Sequence, residues 1–260
     1  MLVYFGAFSV VLAIALFAGI LGCLEIGRRL GRMRRAADPE SVRVGAGAVE
    51  GAVFGLMGLL IAFTFSGALQ RWDARRALGV EEANDIGTAW LRIDLLRSET
   101  QPALRDLFRR YVDSRLAMLR VLPDVAAARA ELARSDALQR EIWSYSAAAC
   151  SVPEGERARI LLLPALNAMI DVTSTRTMGM LMHPPMVVYA LLLALLLASS
   201  LIAGFGMSAA PVRNWVHMLC FAAAMSVSVY VIIDLEYPRA GLFRIDEIDQ
   251  VLIDLRASMN

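Results

Sequence analysis

The chain has 260 residues, 58% of them hydrophobic and 20% charged, with a formal net charge of +1 at pH 7. It is too apolar for an ordinary water-soluble domain and too charged to lie wholly in lipid, so the two kinds of residue must be segregated along it. Near-neutral charge offers no surplus of cations to a phosphate backbone, and nucleic acid is not expected as a partner.

A helix needs about 20 apolar residues to cross a bilayer core, because its backbone polar groups must be satisfied within the segment. Four runs meet that length without an interior Asp, Glu, Arg or Lys: Leu2–Leu24, Gly51–Leu69, Pro185–Met207 and Trp215–Ile233. In chain order the spacing predicts a first transmembrane helix over 1–24, retained as an anchor for want of a signal-peptide cleavage site. An Arg-rich loop over 25–46 and a second span over 47–69 follow. A helical extramembrane domain is expected over 70–183, the third span and a short loop over 184–212, the fourth span over 213–235 and a C-terminal tail over 236–260. The fold class expected is therefore all-α: an integral membrane four-helix protein with a helical domain inserted between the second and third spans. Tyr4, Trp72, Tyr189 and Trp215 fall near span ends, as an interfacial aromatic belt would place them.

The Arg-rich loop holds Arg28, Arg29, Arg32, Arg34, Arg35 and Arg43. By the cation count this loop is cytoplasmic and the insert lies across the membrane, although Arg71, Arg75, Arg76, Arg239 and Arg244 flank spans on the opposite side. On the second span, Gly47, Gly51, Gly55 and Gly58 continue through Ala62 and Ser66 as one helical stripe of small residues, the kind that lets helices approach closely in lipid. Phe54, Ile61 and Phe65 form a second, bulky stripe. One stripe could pack within the bundle while the other faces lipid; alternatively, the bulky stripe lines an apolar constriction on an oligomer axis, closing by dewetting.

Beyond Ala77 the periodicity is helical. Pro102 suits a first turn, and Leu104, Leu107, Phe108, Tyr111, Met118, Leu119 and Leu122 share one face, opposed by Arg105, Asp106, Arg109 and Asp113. Pro123 ends that helix. A second runs from Val125 to Ala149 with Leu132, Leu138, Ile142 and Tyr145 inward, and 151–155 is a turn. A third, Glu156 to Met182, contains Pro164, expected to kink or break it. Gly87 lies in a helical stretch, where close helix approach or a local break should offset its cost. Glu81, Asn84, Thr88 and Arg92 fall near one stripe, read as a solvated or hydrogen-bonded face or, alternatively, an ion-facing lining.

Cys23, Cys150 and Cys220 form no pair, and His183 and His217 are each single, so neither a disulfide, a metal site nor a cofactor is expected. No GxSxG, HExxH, P-loop or GxGxxG occurs, and no enzyme activity is expected. Asp234 and Glu236 sit where the last span meets water, with Arg239 and Arg244 as the expected ion-pair partners.

Arg71-Trp72-Asp73-Ala74-Arg75-Arg76 after the second span, Glu82 and Asn84 within Glu81–Gly87, and Asp234, Pro238 and Gly241 after the last span together resemble the bacterial bestrophin-like domain family. The resemblance runs over nearly the whole chain. Similarity to true bestrophins is weaker: their second span also ends in an aromatic-acidic-Ala-Arg signature, but Arg239 stands where their Pro-Phe-Gly element would have Phe. Bestrophins are pentameric ion channels with an apolar neck on the second helix. The resemblance therefore implies Phe54, Ile61 and Phe65 as neck residues, a homo-oligomer (a pentamer), inorganic ions as the transported species and a bacterial inner (plasma) membrane. It also implies a cytoplasmic insert, against the cation count. A non-conducting anchor whose helical domain binds a partner or senses a signal is the alternative.

Overall fold

The computed structural model describes residues 2–37, 46–121, 124–237 and 246–259, and the chain is 91% helix with no strand among them. Eight α-helices are present among the described residues: α1 Leu2–Ala37, α2 Ala46–Arg92, α3 Gln101–Val121, α4 Val125–Ala149, α5 Glu156–Leu181, α6 Met186–Gly206, α7 Trp215–Glu236 and α8 Asp246–Ser258. Four of the helical stretches are long and apolar enough to cross a membrane: three contain the later runs read from the sequence, and the first, Val10–Ala37, overlaps Leu2–Leu24. Arg43, Leu122, Pro123, Pro238, Arg239, Gly241 and Arg244 lie outside the described residues, as does the side chain of Tyr4.

Two segments differ from expectation. Residues 25–37, assigned to the Arg-rich loop, continue α1 without a break. Arginine is a good helix former, and cations in a last turn favour the negative end of the helix dipole; Arg34 and Arg35 occupy that turn. The C-terminal tail contains α8, whose Ile248 and Leu252 are buried.

The chain divides into two compact units. The span unit comprises Val3–Gln70 and His183–Tyr237; the helical unit comprises Arg71–Met182 and Pro238–Asn260, with Met1–Leu2. α2 belongs to both, its 47 residues giving a rod of about 70 Å at 1.5 Å per residue.

The helical unit is built around one hydrophobic cluster. Ile86 and Ile93 lie on the α2 stretch and the 3-10 turn that follows it, Leu104 and Phe108 on α3, Ile142 on α4, Leu162 and Leu166 on α5, and Leu252 on α8. The face expected of α3 is the one buried, and Pro102 sits in its first turn. Asp124 caps α4, its carboxylate accepting from the backbone N–H groups of Ala126 and Ala127. Leu138 and Ile142 of α4 are buried, while Leu132 and Tyr145 pack at the edge of the cluster. Pro164 leaves α5 unbroken. It sits on an exposed face, where the carbonyl it deprives of a donor can be hydrated. Gly87 marks a close approach: a Cβ there would lie 3.3 Å from Leu255 of α8.

In the span unit the tight crossing is between α1 and α6. A Cβ on Gly27 would overlap the Leu201 carbonyl, and one on Gly204 the Leu24 carbonyl. The glycines on the span portion of α2 from Gly47 to Gly58 play no such part, since a Cβ on Gly47, Gly51, Gly55 or Gly58 would meet nothing within 4 Å among the described residues.

Candidate functional site

Three ionic side chains from three helices meet at the centre of the helical unit. Glu82 of α2 accepts from Arg115 Nε of α3 at 2.6 Å through one oxygen, and from Arg176 Nη1 of α5 through the other. Arg176 also reaches Asp249 of α8 at 3.5 Å. The Glu82 and Arg115 side chains are wholly excluded from solvent and that of Arg176 nearly so. Helical spacing puts them there: Glu82 lies one turn before Ile86, and Arg115 one turn after Tyr111, all four residues being buried. Burial presses the Glu82 carboxyl toward its neutral form, but the charges of Arg115 and Arg176 outweigh it and hold the pKa below the ordinary value. Arg115 is likewise disfavoured by burial and held charged mainly by Glu82, so its pKa is raised.

A chain of hydroxyls adjoins this triad. Gln139 Nε2 of α4 donates to Tyr111 Oη at 3.1 Å, and Tyr111 Oη lies 2.8 Å from Thr173 Oγ1, which donates to the Met169 carbonyl. The Thr173 proton being committed, Tyr111 is the donor to Thr173. Burial pushes the Tyr111 phenol up to about 12, so it stays neutral. The network joins α2, α3, α5 and α8 through charge-assisted bonds and α4 through the neutral bond of Gln139 to Tyr111.

The residues singled out in the sequence separate into distinct settings. Arg75 is buried and donates to the Gly179 and Met182 carbonyls at 3.1 and 2.9 Å, satisfying acceptors that the end of α5 leaves open. Arg71 and Trp72 are half-buried, and Arg76 lies 4.5 Å over the Trp72 ring. Asn84 is exposed with Glu81 and Thr88, whereas Arg92 donates to the Leu161 carbonyl at 2.6 Å. In the span unit Asp234 and Glu236 are buried; His183 Nδ1 lies 3.5 Å from Glu236, and the His183 ring stacks on Tyr237 at 4.7 Å. The expected partners Arg239 and Arg244 lie outside the described residues, as noted. Arg115, Arg176, Gly27 and Gly204 were not singled out in the sequence. For Arg115 a signal exists, since it falls on the apolar stripe of Phe108, Tyr111 and Met118.

On the span portion of α2, Met57 and Ala68 turn inward. At 100° per residue, Phe54, Ile61 and Phe65 share an arc of about 40° at the margin of that inward face. Phe54 meets Phe221 of α7 edge-on at 6.3 Å, Ile61 is half-buried and Phe65 is 40% exposed. The small-residue stripe lies beside them on the open side, with Gly51, Gly55, Gly58, Ala62 and Ser66 all exposed. The chain buries 11% of the apolar window of the helix through α2, against 22% for those through α1 and α6 and 28% for α7.

Four apolar helices of this length define an integral membrane protein. The bestrophin-like domain family matches residues 13–248, and the chain belongs to that family. No curated protein and no solved structure matches the chain significantly.

Proposed function

We propose that the protein is a homo-oligomeric ion channel whose pore is lined by the span portion of α2, with Phe54, Ile61 and Phe65 forming an apolar constriction. The observation that carries this reading is the poor cover of α2 by its own chain: its window is half as buried as the next span's. A face of Gly, Ala and Ser gains little from lipid tails but much from close contact with another helix, so a second copy is the better partner. Assembly through the small stripe brings the adjoining bulky stripe toward the axis, where apolar side chains can hold a closed, dewetted constriction. A ring of five copies follows from the family resemblance alone. The helical unit is then the extramembrane domain, and the host membrane the bacterial inner membrane.

Recording from the purified protein in planar bilayers tests this reading. Ion current is expected, and Phe65→Ala should widen the constriction and raise conductance or open probability. Silence in both forms would remove the channel reading. A non-conducting anchor that recruits a partner would then be favoured, and a specific feature supports it. Leu91, Leu95, Ile160 and Leu161 are exposed on the helical unit, at the place where Arg92 joins α2 to α5.

A further inference from the structure

One end of the span unit concentrates cations, with five arginines on α1 and Arg213 on the connection to α7. α1 leaves its apolar run at Leu24 and continues as helix through Arg28, Arg29, Arg32, Arg34 and Arg35. The depth of these arginines is fixed by packing, since Gly27 abuts the Leu201 carbonyl, and a Cβ on Gly31 would lie 2.6 Å from the Ser208 Cβ. They therefore stand level with the last turn of α6 and the connection to α7, where the apolar runs of all three helices end.

Two of the arginines are held in place by that connection. Arg28 Nη2 donates to the Ala210 carbonyl at 3.1 Å and Arg32 Nη2 to the Pro211 carbonyl at 3.2 Å. Arg28 is buried, so its bond ties α1 to the connection, whereas Arg32 is exposed, and with five N–H donors on its guanidinium this bond orients the group and leaves others open to solvent. Arg28 Nε and Ser208 Oγ are buried here without a hydrogen-bond partner among the described residues. Among the described residues two acids stand here, Glu25 and Glu50. Glu25 is shared between Arg29 at 3.0 Å and Arg213 at 2.7 Å, and Glu50 stands beside Gly206. Apolar groups adjoin the cations: Val212 is 76% and Trp215 52% exposed, and Arg213 lies 5.8 Å over the Trp215 ring.

We propose that this end of the span unit is a binding site for an anionic phospholipid, with Arg29, Arg32 and Arg213 on the phosphate and Val212 and Trp215 against the glycerol and first acyl carbons. Planar guanidinium groups match phosphate oxygens in pairs, and partly preorganised ones lose less freedom on binding. A free phosphate ion would use the cations but not the exposed Val212 and Trp215, which sit at the level where an amphipathic ring is favoured. The site rests on the four apolar helices lying in a bilayer and is independent of conduction, so a silent channel leaves it standing.

Native mass spectrometry of the full-length protein in detergent, titrated with phosphatidylglycerol or phosphatidylcholine, tests the site. Phosphatidylglycerol should be retained in preference to phosphatidylcholine. The double variant Arg32→Gln/Arg213→Gln should weaken it about thirtyfold, at roughly fivefold per arginine. Should that variant fail to fold, the single variant Arg29→Gln, on an exposed side chain, carries the same expectation at about fivefold. Glu25→Gln, which releases Arg29 and Arg213 from their acid, should strengthen retention. Equal retention of the two lipids, unchanged retention in the arginine variants, or displacement of the lipid by equimolar inorganic phosphate would overturn the proposal.

Discussion

The helical unit closes on itself, whereas the span unit leaves its second helix open. In the first, α3, α4, α5, α8 and the end of α2 bury a shared apolar cluster and enclose a glutamate between two arginines, one of which also reaches Asp249. In the second, α1 and α6 meet at glycine contacts, while Gly47, Gly51, Gly55 and Gly58 of α2 touch nothing among the described residues. One region thus carries the sources of its stability internally. The other presents a surface whose energetics depend on what surrounds it, lipid or further copies. A substitution should therefore act on the folding of the first region, but in the second it can act on assembly alone.

The largest effect is expected where the closed region is most committed. Glu82→Gln leaves Arg115 and Arg176 charged and excluded from water, and removing one member of a buried ion pair costs about 3–5 kcal/mol. Urea unfolding of the purified protein, followed by fluorescence of the buried Trp90, should show that loss. The pH dependence has a definite sign. Because the folded-state pKa of Glu82 lies below its ordinary 4.5, its contribution is fully present above pH 4.5 and fades as pH falls through the lower, folded value. The urea midpoint should decline on that acid limb in the wild type, and Glu82→Gln should flatten it. An unchanged midpoint in Glu82→Gln would mean that the triad is not what closes the helical unit.

Much of this closed region was legible in the sequence, and the reasons it was not wholly so are physical. Leu104, Phe108 and Tyr111 recur at helical spacing, and that spacing gave the buried face of α3 because burial of apolar area is what selects it. Arg115 lies on the same stripe, yet a charged residue on an apolar stripe has meaning only when its partners are known. Glu82 and Arg176 lie 33 and 61 positions away, and their meeting is a product of the tertiary fold. α8 was hidden for a related reason: its 13 residues hold three Asp and a Glu, and the helix gains its stability from docking Ile248 and Leu252. In the span unit the four apolar runs were plain, but small residues alone could not indicate which helix they serve. Gly27 and Gly204 are used inside the chain and Gly55 is not, a distinction that depends on which helices are neighbours.

That distinction yields a prediction of intermediate size. Gly204→Ala forces a methyl group onto the Leu24 carbonyl, and overpacking of this kind costs about 1–3 kcal/mol because backbones must move apart. A lower melting temperature in detergent is expected. Gly55→Ala meets no atom of its own chain, so the melting temperature of the isolated protomer should stay within error of wild type. Crosslinking in native membranes separates the possibilities for Gly55. Loss of oligomer bands with an unaltered protomer would assign the open face of α2 to another copy, whereas no change in either readout would assign it to lipid.

The smallest effect is expected at the edge of the closed region, where α8 meets α3. Arg256 donates to both carboxylate oxygens of Asp113, at 2.8 and 3.2 Å, a paired geometry that favours the contact. The pair is nonetheless largely open to water, and solvent-exposed ion pairs contribute about 0.2–1 kcal/mol. Arg256→Gln should therefore lower the urea midpoint only slightly, and raised salt should reduce the difference from wild type, since screening weakens the wild-type pair and has nothing to weaken in the variant. A loss of several kcal/mol, or one insensitive to salt, would mean that α8 is held by its charged edge more than by Leu252. Its docking would then depend on the ionic surroundings, and the contrast between the closed and open regions would narrow to the triad alone.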